Sequence, residues 1–160
     1  MEKLYQKSVP SPLGYLILGG SEVELKYIRF SDYPEDDTLY IPEILLRTQK
    51  QLSEYFEGSR FSFDLKLNPE GTDFQKKVWE LVQHVPFGET STYKDIARKL
   101  GGKTYIRAVG KANATNPIPV IIPCHRIIGS NGKLVGYAGG TGRKKQLLLH
   151  EIKLKKGTLF

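Results

Sequence analysis

The hydrophobic pattern passes from strand alternation to helical spacing across Asn68-Pro69-Glu70-Gly71, and that change constrains the chain's organisation more than any other feature. Just before it, Phe61, Phe63, Leu65 and Leu67 alternate with polar residues, the two-residue repeat of a half-buried strand. Just after it, Thr72 followed by Gln75 forms a capping-box pattern that opens a helix through Phe74, Val78, Trp79 and Val82. A Pro- and Gly-containing linker between two periodicities predicts two small domains, residues 1–70 and 71–160.

The first part reads as strands plus one helix. Residues 13–18 and 23–30 are β-rich and separated by Gly19-Gly20-Ser21, and residues 31–38 form an acidic loop. Between residues 42 and 56, Ile44, Leu45, Leu52, Tyr55 and Phe56 approximate helical spacing, with Gly58 as the stop. In the second part Pro86-Phe87-Gly88 closes the first helix, and Thr92 followed by Asp95 starts another with Ile96, Ala97 and Leu100 inward. Gly101-Gly102 breaks it, and a third helix is expected from about residue 104 to 113. Two short helices joined by a glycine turn are a helix-turn-helix pattern. Ala108 and Ala112 are expected on its exposed face.

Charge divides at the same place. Residues 1–70 carry eight basic against twelve acidic residues, a net of −4, whereas residues 71–160 carry sixteen against five, a net of +11. A basic second part suits a polyanion partner. No apolar run approaches the roughly 20 residues that span a bilayer. The N-terminal residues lack the apolar core of a secretory signal, so a cytoplasmic protein, or one in whichever compartment holds DNA, is expected. One cysteine and three histidines leave no disulfide and no Cys-rich zinc site, and no metal or other cofactor is expected.

That one cysteine stands in Pro123-Cys124-His125-Arg126, after an apolar run at residues 120–122 that reads as a buried strand. A thiol at a strand end can face a pocket, and a basic neighbourhood favours thiolate. His125 is the available base. Successive residues of an extended chain point to opposite faces, so a bridging water is the simpler route between imidazole and thiol. Such an imidazole needs an orienting carboxylate. Glu151 lies three and four residues beyond Leu148 and Leu147, so it is either that carboxylate or an exposed residue of the last helical turn. Gly136-Tyr137-Ala138-Gly139-Gly140 is either a loop closing over a flat ligand or a plain connection.

In order, Val85-Pro86-Phe87-Gly88, Thr92-Tyr93, Arg107-Ala108-Val109-Gly110, Asn116-Pro117, Pro123-Cys124-His125-Arg126, Gly136-Tyr137 and His150-Glu151 resemble the O6-alkylguanine-DNA alkyltransferases (methylated-DNA–protein-cysteine methyltransferases). Ser11-Pro12-Leu13-Gly14 and the strand-helix pattern carry a weaker likeness in the first part. The resemblance implies an α+β fold: a small ribonuclease-H-like N-terminal α/β domain, and a mostly helical C-terminal domain with a helix-turn-helix. It implies repair of double-stranded DNA containing O6-alkylguanine, mainly O6-methylguanine. The damaged nucleotide is flipped out, and the alkyl group passes irreversibly to Cys124 in a single turnover. His125 would activate the thiol through water, Glu151 would orient the imidazole, and Asn116 would brace the segment and help order that water. Tyr93 would hydrogen-bond a guanine ring nitrogen, and Arg107 would fill the gap in the base stack. Ala108 would approach the minor groove, while Lys94, Lys103 and Lys111 would meet phosphates with little regard to sequence. The carbonyls of Cys124 and Ile127 would receive the guanine amino group. Tyr137, Ala138 and Gly139 would line the pocket, with the Ala138 N–H toward O6.

Tyr105 and Ile106 stand where the family commonly has small residues; they either alter the fit of the third helix to DNA or face the core. Three other functions compete: a cysteine hydrolase, a non-catalytic sensor of alkylated DNA, and a transcription factor. Nothing in the sequence calls for an obligate dimer, and a monomer is expected.

Overall fold

A computed structural model describes residues 2–134, 137 and 139–157, and these fall into two compact units that divide between Glu70 and Gly71. The first unit is a three-stranded antiparallel sheet, β1 (Tyr5–Ser11), β2 (Gly14–Gly20) and β3 (Leu25–Ser31), in the order β1-β2-β3, with a helix α1 (Glu43–Glu57). The central strand is buried at Leu16, Ile17 and Leu18, and α1 contributes Ile44, Leu45, Leu52 and Tyr55 to the same core. Gly58 ends the helix at φ 92°, a conformation that favours glycine. Gly19 faces Tyr27 across the sheet, and a Cβ there would fall 1.9 Å from the tyrosine ring.

One strand is added to this unit and one reading of it changes. Residues 5–11 form an edge strand, tied to the acidic loop by Ser8 N–H donating to Asp37 at 2.8 Å and Thr38 N–H donating to the Gln6 carbonyl at 2.9 Å. Residues 61–67 do not form a strand. The Gln51 side chain holds both backbone groups of Asp64, at 3.1 and 2.9 Å, and ladder pairing survives only at Leu67 opposite Leu25.

The second unit holds α2 (Asp73–Gln83), α3 (Tyr93–Lys99), α4 (Ile106–Ala114) and α5 (Thr141–Gly157). Thr72 and Gln75 make both halves of the capping box, at 3.1 and 2.8 Å. Trp79 on α2 is buried and donates its indole N–H to the Ala112 carbonyl of α4 at 2.8 Å. That bond places Ala112 in the core, not on the exposed face expected for it. A 3₁₀ turn (Lys103–Tyr105), reached through Gly101 and Gly102 at φ 130° and 143°, joins α3 to α4 as the helix-turn-helix turn. Two-residue strands β4 (Ser91–Thr92) and β5 (Ile127–Ile128) pair in parallel and bring the start of α3 beside the segment that follows Cys124. No described helix is long and apolar enough to cross a membrane.

Candidate active site

The run before Cys124 is buried as expected, but it is a series of turns and not a strand. Asn116 explains why. Its carboxamide oxygen accepts from Ile118 N–H at 2.9 Å, while its Nδ2 donates to the Ile122 carbonyl at 2.9 Å and to the Cys124 Sγ at 3.0 Å. One side chain thus satisfies the chain it curls and the sulfur at its end. The curl forces Val120 to φ 74°, unusual for a β-branched residue and tolerable only where surrounding structure determines it. Cys124 opens a 3₁₀ turn (Cys124–Arg126), and its carbonyl accepts from Asn113 Nδ2 at 3.1 Å.

Burial decides the resting state of the thiol. Cys124 is fully buried, and desolvation pushes its pKa up to about 12, against the Asn116 hydrogen bond and the Lys144 charge, which both favour the anion. The basic neighbourhood therefore does not by itself yield a thiolate; proton removal has to accompany attack.

A base is placed for that. His125 is fully buried, and its Nε2 lies 2.6 Å from Glu151 Oε2. A carboxylate can only accept, so Nε2 carries the hydrogen and Nδ1 keeps a lone pair. His125 Nδ1 is buried with no hydrogen-bond partner among the described residues. Desolvation lowers the His125 pKa, though Glu151 pulls the other way, so the imidazole rests neutral and able to accept.

Glu151 is buried on α5, and four donors converge on it. Besides His125 these are Arg126 Nε at 2.8 Å, Arg126 Nη2 at 3.1 Å and the Gly88 N–H at 3.2 Å. Burial raises its pKa, but His125 and Arg126 outweigh that and hold the carboxyl well below the usual range. Arg126, which the sequence reading left without a role, also donates to the Val85 carbonyl at 2.7 Å, linking the Cys124 turn to the loop after α2.

Lys144 was not anticipated. It is fully buried on α5, with Nζ donating to the Ile127 carbonyl and to the Tyr93 hydroxyl at 3.2 Å. The signal was present: Lys144, Leu147, Leu148 and Glu151 follow the i, i+3, i+4, i+7 spacing of one helix face. The Cys124 carbonyl receives both Asn113 Nδ2 and the Ile127 N–H, and the Ile127 carbonyl receives Lys144 Nζ.

Tyr93 is buried at the first turn of α3. Lys103, Arg107, Ala108 and Lys111 are exposed, and Lys94 is half-buried. Tyr105 and Ile106 are exposed beside Arg107 and do not face the core; the Tyr105 ring stacks on Phe74 with centroids 5.9 Å apart. Tyr137 is buried with its ring 6.4 Å from that of His125, and Gly139 is half-buried. Ala138 lies outside the described residues. No cluster of three or more His, Cys, Asp or Glu side chains suited to a metal occurs among the described residues.

Comparison with known proteins agrees across both units. Residues 4–69 match the ribonuclease-like domain of 6-O-methylguanine DNA methyltransferase, and residues 73–153 match its DNA-binding domain. Methylated-DNA–protein-cysteine methyltransferases of Methanosarcina acetivorans and Methanosarcina barkeri are 45% and 47% identical, each over 91% of this chain and 96% and 95% of their own lengths. The crystal structure of the Mycobacterium tuberculosis O6-methylguanine methyltransferase is similar at a TM-score of 0.85 and 39% identity, covering 94% of each chain. The same organism's OGT in complex with DNA is similar at a TM-score of 0.84 and 40% identity, over 93% of each chain.

Proposed function

The chain belongs to the methylated-DNA–protein-cysteine methyltransferases, and on that premise we propose that it repairs O6-alkylguanine in duplex DNA by moving the alkyl group onto Cys124. The observation that carries this reading is the 2.6 Å His125–Glu151 pair beside the chain's one cysteine, whose sulfur takes a hydrogen bond from Asn116. The 71–160 domain binds DNA and accepts the alkyl group; the 1–70 domain is its α/β companion. The protein acts as a monomer, in the cytoplasm or in a nucleus where there is one.

His125 Nδ1 takes the thiol proton through an intervening water, and Glu151 steadies the imidazolium that results. Sulfur attacks the alkyl carbon in line, the S–C bond forms, the C–O6 bond breaks, and the electron pair stays on guanine. The Tyr93 hydroxyl donates to a ring nitrogen of the departing base, and the Cys124 and Ile127 carbonyls face its amino group. Tyr137 and Gly139 line the pocket. A thioether offers no easy reverse step and no second cysteine resolves it, so each molecule acts once.

The exposed face of α4 suits the minor groove, where the small Ala108 permits close approach and little sequence information is read. Lys94, Lys103 and Lys111 neutralise phosphates, so binding is salt-dependent. The planar guanidinium of Arg107 fills the stack that the flipped nucleotide leaves.

Intact mass after mixing with duplex containing O6-methylguanine tests the reading. One methyl per molecule, mapped to Cys124, is expected. Repeated turnover would point to a hydrolase, and binding without an adduct to a damage sensor. Arg107→Ala is expected to slow repair in duplex by about 10- to 100-fold, since flipping costs a few kcal/mol, while leaving attack on free O6-methylguanine base nearly unchanged. Equal slowing on both substrates would remove its role in flipping.

A further inference from the structure

We propose that Asn113 sets how strongly the site depends on the 2-amino group of its base, because the Asn113 amide occupies the carbonyl, that of Cys124, to which the amino group is turned. The proposal rests on the acceptor reading of Cys124 given above. Its ground is a fully buried Asn113 whose Nδ2 donates to the Cys124 carbonyl at 3.1 Å, while the Ile127 N–H donates to the same oxygen.

Asparagine is a costly residue at this position. It is a poor helix former, and its carboxamide is expensive to bury without partners. Yet Asn113 stands with Val109 and Ala112 on the buried side of α4, the helix whose exposed side carries Arg107, Ala108 and Lys111. Two contacts hold it there, the bond to the Cys124 carbonyl and a hydrogen bond to the Tyr93 hydroxyl.

A carbonyl oxygen has two lone pairs, and on Cys124 both are engaged. An amino group that arrives there has to take over a bond already made. The Ile127 N–H is fixed by the 3₁₀ turn, so the side chain is the donor that yields. A carboxamide nitrogen and a purine amino group are the same kind of donor, a planar NH2, so the exchange is nearly even for the carbonyl. The displaced amide keeps its bond to the Tyr93 hydroxyl. A base without the amino group leaves Asn113 where it is, and the buried carbonyl stays satisfied. Asn113 thus stands in for the substrate's own donor. A site that must bond a substrate N–H rejects the analogue lacking it, because the buried partner is left unpaired. The Asn113 amide removes that penalty and makes the site lenient.

The test uses the full chain and two duplexes, one with O6-methylguanine and one with O6-methylhypoxanthine, which carries hydrogen in place of the 2-amino group. Second-order rates of adduct formation on Cys124 are measured with each, and the readout is the guanine-to-hypoxanthine ratio. Differences in pairing and flipping between the duplexes are common to every variant, so they cancel when ratios are compared. The parent is expected to favour guanine by less than about tenfold. Asn113→Leu, which has no donor, should raise the ratio by about 10- to 100-fold, the effect of one buried acceptor left unsatisfied. It should do so by slowing hypoxanthine, with the O6-methylguanine rate kept within about fivefold of the parent. Asn113→Ala adds no bulk and should shift the ratio the same way, but less, because water can enter and donate; it carries the expectation if the leucine variant does not fold. Both rates falling together at an unchanged ratio, as when Asn113 only holds the fold, overturns the proposal. So does a ratio that falls, since Asn113 would then be steadying the carbonyl for the amino group. A parent that takes methyl from neither duplex overturns the functional reading instead.

Discussion

Cys124→Ala is expected to accept no methyl from O6-methylguanine duplex while binding that duplex within about twofold of the parent, a separation that follows from where the two tasks reside. The chain holds one cysteine, so no second thiol can take the alkyl group. The cations proposed to meet DNA include Lys103, Arg107 and Lys111, which lie on the exposed side of α4 and the turn before it, whereas the sulfur is fully buried. Removing Sγ costs Asn116 one acceptor, but its Nδ2 keeps the Ile122 carbonyl at 2.9 Å and its oxygen keeps Ile118 N–H, so the curl before Cys124 should survive. Loss of one buried sulfur should lower stability by only about 1 kcal/mol. Intact mass reads the first outcome, and fluorescence anisotropy at fixed salt reads the second. An adduct elsewhere in the chain, or affinity lost together with transfer, would contradict the division.

The parts of this protein legible in its sequence are those decided within a few residues. Thr72 with Gln75, Thr92 with Asp95, and Gly58 announce helix ends through local hydrogen bonds and a local φ, and the helices begin or end within a few residues of those signals. The misreadings lie where distant groups take over the backbone. Residues 62–67 do alternate in burial, but Gln51 takes the backbone bonds that a strand would use at Asp64. Residues 5–11 lack clear alternation and become a strand because β2 pairs them and Asp37 and Thr38 hold the outer side. The apolar run at residues 120–122 is a core segment whose shape is imposed by Asn116, several residues earlier.

The site divides in the same way. Cys124, His125 and Glu151 could be named because nucleophile, base and orienting acid have separate chemistries and only one cysteine competes. The Arg126–Glu151 pair and the Lys144–Tyr93 contact required the third dimension, since they join residues 25 and 51 apart in sequence. Helical spacing shows that Lys144 and Glu151 share a face; it does not show that both are buried.

Glu151→Ala should be the most destabilising single change at the site. The carboxylate receives His125, two nitrogens of Arg126 and the Gly88 N–H, and its removal strands the Arg126 guanidinium, only 8% exposed, without an opposing charge. Breaking a buried pair from one side costs about 3–5 kcal/mol, which for a chain of this size lowers Tm by roughly 10 °C. Glu151→Gln keeps the volume and one acceptor oxygen, so it should lose less stability but most of the activity, because a carboxamide cannot steady the imidazolium. The pH dependence separates charge from packing. The His125 pKa is depressed in the folded state, so the unfolded chain binds the extra proton first and stability falls as pH drops through about 6.5. The Glu151 pKa is depressed too, so its contribution is complete above about 4.3 and drains away below it as the carboxylate is forced to protonate. Thermal unfolding of the parent should therefore show Tm declining in acid in two stages. Glu151→Gln should shallow the lower stage, since the group that titrates there is gone; an unchanged slope below pH 4 in that variant would mean that other carboxylates, not this one, tie the Cys124 turn to α5.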